Sequence, residues 1–223
     1  MNSEVPFSER TGLLIPAGEV TLQADLTLPR SPAGIVLFAH GSGSSRHSPR
    51  NRYVAEVLNE RGLGTLLADL LTAAEEEEET TTRLRFDIAL LTRRLTAITD
   101  WLGGQDQTRG YNLGLFGAST GAAAALLTAA HRPDAVKAVV CRGGRPDLAG
   151  RDICAVRAPT LLIVGGRDTA VLELNRDAKT QMTCRSELII VRGATHLFEE
   201  PGALPEVAKL AAEWFTAHLR SNS

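Results

Sequence analysis

Val20, Leu22, Ala24, Leu26 and Leu28 alternate with Glu19, Thr21, Gln23, Asp25 and Thr27. A period of two sends the apolar set to one face, so this stretch predicts a half-exposed strand. Residues 11–16 predict its partner, turned at Ala17-Gly18. From Gly34 the alternation stops. Ile35-Val36-Leu37-Phe38-Ala39 is a continuous apolar run ended by glycine and serine, as expected of a strand covered on both faces. Residues 63–68, 113–116, 136–140, 161–164 and 188–191 repeat the pattern. Between these runs lie helical segments. Residues 52–61 place Val54, Val57 and Leu58 at helical spacing, and residues 83–102 carry a stripe of Ile88, Leu91, Leu95, Ile98 and Leu102. Residues 121–131 are alanine-rich, and residues 204–219 align Val207, Leu210, Ala211, Trp214 and Phe215. Strands alternating with helices imply an α/β fold, a mostly parallel sheet covered on both faces with the antiparallel hairpin at its edge.

One segment breaks the pattern. Glu75 to Glu79 are consecutive glutamates, followed by Thr80 to Thr82. Adjacent carboxylates repel, which predicts a solvated loop or a fraying helix start. The alternative is that residues 70–85 form a lid, since they follow a strand end.

The length of 223 residues suits a single domain over 1–223. With 24 basic and 26 acidic residues the net charge is −2, which gives no reason to expect nucleic acid or an anionic membrane surface as partner. Cys141, Cys154 and Cys184 form no C-x-x-C pair, so neither a zinc site nor a redox motif is expected. The first residues lack a basic patch followed by an apolar core, and no apolar run approaches the roughly 18 residues of a membrane helix. These features predict a cytoplasmic protein.

Gly117-Ala118-Ser119-Thr120-Gly121 matches G-x-S-x-G, between an apolar strand and an alanine-rich helix. That setting is what a nucleophile elbow requires: the chain turns sharply from strand into helix, and small flanking residues keep the turn free of collisions. Serine is a weak nucleophile until a base takes its proton, so a histidine and an orienting acid should follow in the order Ser, acid, His. Asp168 follows the run 160–164 and His196 follows 188–191, so both lie past strand ends on the same rim as Ser119. Asp168 could alternatively cap the next helix, and His47 is a minor rival base. The glycine-rich turn His40-Gly41-Ser42-Gly43 follows the first buried strand. Its backbone suits an oxyanion hole, with the N–H groups of Ser42 and Thr120 as donors and His40 supporting the loop. A phosphate-cradling loop is the competing reading, but the G-K-[ST] ending is missing.

On His40-Gly41-Ser42-Gly43, Gly117-Ala118-Ser119-Thr120-Gly121, Gly166-Arg167-Asp168 and Ala194-Thr195-His196, the chain resembles the α/β-hydrolase superfamily, in its dienelactone-hydrolase-like branch, over nearly its whole length. The resemblance implies a mostly parallel sheet of about eight strands and no metal or organic cofactor. It also implies esterase, thioesterase, lactonase or peptidase chemistry. Enzymes that open dienelactones carry cysteine in the elbow; Ser119 departs from that, so dienelactone is not carried over as substrate.

These residues predict a serine hydrolase that cleaves a carboxylic ester, thioester or lactone of a small molecule through an acyl-serine. The alternatives are an acyltransferase or peptidase using the same triad, or a non-catalytic binding protein on this fold. Arg46, Arg50, Arg142 and Arg145 lie in strand-end loops and are candidates for binding an anionic part of the substrate. The competing reading gives them surface ion pairs with Asp147, Asp152 or the glutamates. Glu199 and Glu200 are placed to tune His196 or to substitute weakly for Asp168.

Overall fold

The structure is a computed structural model that describes residues 7–78 and 83–220. Eight strands form one sheet: β1 (Phe7–Ala17), β2 (Val20–Pro29), β3 (Ile35–Ala39), β4 (Gly64–Ala68), β5 (Leu113–Ala118), β6 (Val136–Arg142), β7 (Thr160–Gly165) and β8 (Ser186–Val191). Their spatial order is β1-β2-β4-β3-β5-β6-β7-β8. The β1–β2 and β2–β4 pairs are antiparallel; every pair from β4 to β8 is parallel. The expected hairpin at the edge is present, with β1 longer at both ends than its alternation indicated.

The α-helices among the described residues are α1 (Pro49–Glu60), α2 (Ala73–Glu78), α3 (Ile88–Gly104), α4 (Thr120–His131), α5 (Thr169–Gln181) and α6 (Ala203–Leu219). Each central strand divides its side chains between two cores. Val36 and Phe38 join Phe116, Val140 and Ile163 beneath α1 and α6. Leu37 joins Leu66, Leu115 and Val139 beneath α3 and α4. Burying both faces is what made these strands read as unbroken apolar runs. The chain winds outward from β3 to β4 and then returns to place β5 on the other side of β3. The strand order therefore reverses at the carboxyl ends of β3 and β5, the usual position of an α/β site.

Several boundaries differ from expectation. Helix α1 begins at Pro49 rather than at residue 52, because Ser48 caps it by accepting from the Asn51 N–H and proline is favoured in a first turn. The expected helix over 83–102 is split: Leu84–Phe86 is a 3-10 turn, and Asp87 caps a new start by accepting from the Leu90 N–H at 2.9 Å. A pair of 3-10 turns over Pro146–Ala155, kinked at Gly150, was not anticipated. The glutamate run is corrected in part. Glu75 is not a solvated loop carboxylate: Arg94, 5% exposed on α3, donates to its two oxygens at 2.8 and 2.6 Å and to the Leu70 carbonyl at 2.8 Å. Glu76 pairs with Arg85. Within the suggested lid, Leu70 and Glu75 are thus tied to α3 and Glu76 to the 3-10 turn; Glu79 and residues 80–82 lie outside the described residues. Among the described residues no helix is long and apolar enough to cross a membrane.

Candidate active site

Ser119 is the single residue between β5 and α4, with φ 50° and ψ −120°. A positive φ is costly for any side chain with a Cβ, of order 1–3 kcal/mol, and persists only where the surroundings impose it. Here they do. The Ser119 N–H donates to the Arg142 carbonyl at 3.2 Å, and the Ser119 carbonyl accepts from the N–H groups of Ala122 and Arg145, each at 3.1 Å. The second glycine of the motif is required by close approach: a Cβ on Gly121 would lie 2.2 Å from the Ala39 carbonyl oxygen. The elbow is therefore pressed against the end of β3. The loop after β3 touches Ser119 too, since a Cβ on Gly41 would stand 3.0 Å from the Ser119 Cβ.

That loop is fixed by His40, which is 6% exposed. Its Nε2 faces the Leu70 N–H at 3.0 Å and its Nδ1 faces the Gly41 carbonyl at 3.0 Å. An acceptor on one nitrogen and a donor on the other is the neutral tautomer. Burial pushes the imidazole below its ordinary range, outweighing the Gly41 bond and Asp69. His40 is thus a clamp with both nitrogens occupied. The Ser42 N–H points at the elbow and donates to Thr120 Oγ1 at 3.0 Å. Thr120 opens α4, so its own N–H belongs to the first-turn amides that have no intrahelical acceptor.

Asp168 occupies the N-cap position of α5, but its side chain makes no capping bond. Its Oδ2 lies 2.6 Å from His196 Nδ1. Asp168 thus stands at a cap position while its carboxylate pairs with the histidine. The loops that carry this pair are zipped together. Gly166 N–H donates to the Val191 carbonyl and Arg167 N–H to the Ala194 carbonyl, both at 2.9 Å. A Cβ on Gly165 would stand 2.5 Å from the carbonyl oxygens of both Ala194 and Thr195, so only glycine permits this contact. Past His196 the chain is anchored by Phe198, 1% exposed at φ 56°. Glu200 accepts from the Thr195 N–H at 3.1 Å, which lowers its carboxyl below the ordinary range. Glu200 thus braces the histidine loop, and among the described residues Asp168 is the carboxylate that pairs with the imidazole. Nothing in the sequence pattern distinguished Phe198 as an anchor, because a positive φ at phenylalanine has no sequence signature.

The imidazole hangs over the end of β6: a Cβ on Gly143 would lie 3.5 Å from both Nδ1 and Cε1 of His196. Ser119 is bonded to the preceding residue, Arg142. The three residues named from sequence thus converge on one strand end, although among the described residues no hydrogen bond joins Ser119 Oγ to His196. Such contacts tighten in many hydrolases only when substrate arrives. His47 is exposed and makes no carboxylate contact among the described residues, and His218 bonds the Trp214 carbonyl on α6.

The four arginines separate. Arg46 pairs with Asp69 and, at 3.6 Å, with Asp25. Arg145 chelates Asp147 with bonds of 2.9 and 2.8 Å. Arg50 reaches Glu199 at 3.4 Å, leaving its buried Nε unpartnered, and Arg142 is buried with neither Nε nor Nη1 partnered. Cys141 is fully buried, which pushes its thiol up to about 12 and leaves it inert as a nucleophile. Among the described residues no group of three or more His, Cys, Asp or Glu side chains is placed to hold a metal ion.

The family model described as Dienelactone hydrolase family matches residues 22–220. A solved dienelactone hydrolase from Anabaena variabilis is 56% identical, with a TM-score of 0.94 and coverage of 96% of this chain and 99% of that one. The esterase Est1E from Butyrivibrio proteoclasticus, at 18% identity over 93% of this chain and 98% of its own, shares the fold with a TM-score of 0.78. Two strains of Mycobacterium tuberculosis carry a protein called "Putative phosphoribosyl transferase" that is 58% identical over 203 residues. That match takes in 91% of this chain and 45% of the relative, so the chain spans less than half the length of those proteins.

Proposed function

We infer, from the premise that this chain belongs to the dienelactone hydrolase family, that it is a serine hydrolase cleaving a carboxylic ester, thioester or lactone of a small molecule. The observation that carries this reading is Ser119 held at φ 50° in the elbow, on the same rim as the Asp168–His196 pair at 2.6 Å. A strained serine at a strand-to-helix turn, with an oriented imidazole beside it, is what acyl transfer needs and what a structural turn does not.

In this mechanism His196 Nε2 takes the Ser119 proton as Oγ attacks the acyl carbon. Asp168 accepts from Nδ1–H, fixes the tautomer and stabilises the imidazolium. The oxyanion takes the N–H of Thr120 and that of Ser42, replacing the Thr120 hydroxyl as acceptor at the latter. The carbon–oxygen bond to the leaving group breaks as His196 returns the proton to it. Water then gives its proton to the same base, attacks the acyl-serine and releases the acid, restoring the Ser119 hydroxyl. An alcohol or amine in place of water gives acyl transfer, and an amide substrate gives peptidase activity. Phosphoribosyl transfer is the other chemistry raised, by the name of the longer relatives. A match of 203 of the 223 residues takes in most of residues 22–220, which the hydrolase family model covers, so the transferase name is not extended to this chain.

The test is intact-protein mass after exposure to a fluorophosphonate. A single adduct is expected on the wild type and none on Ser119→Ala, with an esterase loss in that variant of at least about 10³-fold. No adduct on folded wild type would remove the hydrolase reading and leave a binding protein on a hydrolase fold.

A further inference from the structure

Leu70 follows β4, is fully buried, and has both backbone groups committed. Its N–H donates to His40 Nε2 at 3.0 Å, and its carbonyl accepts from Arg94 Nη1 at 2.8 Å. One residue thereby joins a cation on α3 to the clamp of the turn after β3. The preceding residue makes a second tie to that turn, since the Asp69 carboxylate accepts from the Arg46 N–H at 2.7 Å. The turn from His40 to Arg46 is thus fastened at both ends by two consecutive residues.

Arg94 is itself held rigidly. Its Nη1 and Nη2 donate to Glu75 Oε2 and Oε1 at 2.8 and 2.6 Å. Glu75 in turn closes a capping box at the start of α2: its carboxylate accepts from the Thr72 N–H at 2.8 Å, and its own N–H donates to Thr72 Oγ1 at 3.2 Å. Stability alone gives weak reason for an arginine here, because apolar side chains often replace a buried ion pair without loss. An apolar side chain does not supply the donor to the Leu70 carbonyl.

On its other side the turn meets the elbow. His40 Nδ1 bonds the Gly41 carbonyl, Gly41 packs on Ser119, and the Ser42 N–H reaches Thr120 Oγ1 at 3.0 Å. A shift of Leu70 therefore moves His40 and, with it, the Ser42 N–H.

We propose that Arg94 is a positioning residue for the oxyanion turn: through Leu70 and His40 it sets where the Ser42 N–H stands relative to Ser119. Glu75 fixes the guanidinium, and the Leu70 carbonyl receives that fixed position. The proposal rests on the hydrolase reading for its effect on rate, but not for the link from Arg94 to His40.

The test has two arms on the full chain, both run well below the unfolding temperature. In the first, 4-nitrophenyl butyrate hydrolysis is compared in wild type and Arg94→Met. A displaced oxyanion donor weakens the transition state and not substrate binding, so kcat should fall at least about tenfold with KM held within about twofold. Arg94→Lys keeps one charged donor for the Leu70 carbonyl but gives up the chelation of Glu75, so most of kcat should return while Tm stays lowered. In the second arm, imidazole 15N spectra follow His40, assigned by its loss in His40→Asn. Arg94→Met should shift the His40 Nε2 signal, which reports the bond from Leu70. Should Arg94→Met not fold, Arg94→Gln, too short to serve both Leu70 and Glu75, carries the same expectations. Wild-type kcat in a folded variant, a loss confined to KM, or an unmoved His40 signal overturns the positioning role. A wild type that turns over no ester, with a His40 signal that still answers to Arg94, overturns the hydrolase reading and leaves the link standing.

Discussion

Ser119 combines the hydroxyl of the proposed nucleophile with a backbone angle that favours glycine. The two properties separate on substitution. Ser119→Ala keeps the strain and Ser119→Gly relieves it, so the glycine variant is expected to be more stable than the alanine variant by about 1 kcal/mol, although both lack the nucleophile. Comparing their midpoints in urea checks this; equal midpoints would mean that the elbow carries no strain. At this scale most of the site was legible. Serine, aspartate and histidine stand out because the chemistry accepts few other residue types in that order, and the flanking glycines because the turn leaves no room. The unpaired state of Arg142 was not legible. Arg46 and Arg145 look the same in sequence, and only folding decides which guanidinium meets Asp69 or Asp147 and which meets none.

Helices were read well where an apolar stripe was present and poorly where side-chain bonding set the limits. Helix α5 begins with Thr169-Ala170-Val171-Leu172 and then turns polar, and it buries only Val171, Leu172, Asn175 and Ala178. Helix α2 is held by ions rather than by an apolar face. Removing the Glu75 carboxylate leaves the buried Arg94 with the Leu70 carbonyl alone. Glu75→Ala should therefore cost about 1–3 kcal/mol, below the range for fully buried pairs because Glu75 is 24% exposed. The hydrogen bonds from Arg94 hold the Glu75 carboxyl below its ordinary value of 4.5. A lowered acid contributes stability above the unfolded value and loses it as pH falls through the folded one. The wild type should thus lose more stability than Glu75→Ala between about pH 5 and the folded value of this group, so the two unfolding midpoints converge in acid. Parallel curves would show that the pair does not contribute.

For the whole molecule, the α/β class followed from the pattern of runs, but the strand order did not. Nothing local tells β4 to lie outside β3; the crossover is decided by which faces the helices must cover. Because β3, β5, β6 and β7 feed both cores, neither core is able to lose its packing without exposing the other. Unfolding should accordingly show one transition, with far-ultraviolet signal, near-ultraviolet signal and fluorophosphonate reactivity lost together. Separated transitions would argue for two independently stable parts within the 223 residues. The close fit between the loops of Asp168 and His196 has a mechanical consequence. Because the two loops share backbone hydrogen bonds across Gly165, whose Cβ would meet the Ala194 and Thr195 carbonyl oxygens at 2.5 Å, a substitution at Gly165 should displace His196 without touching its side chain.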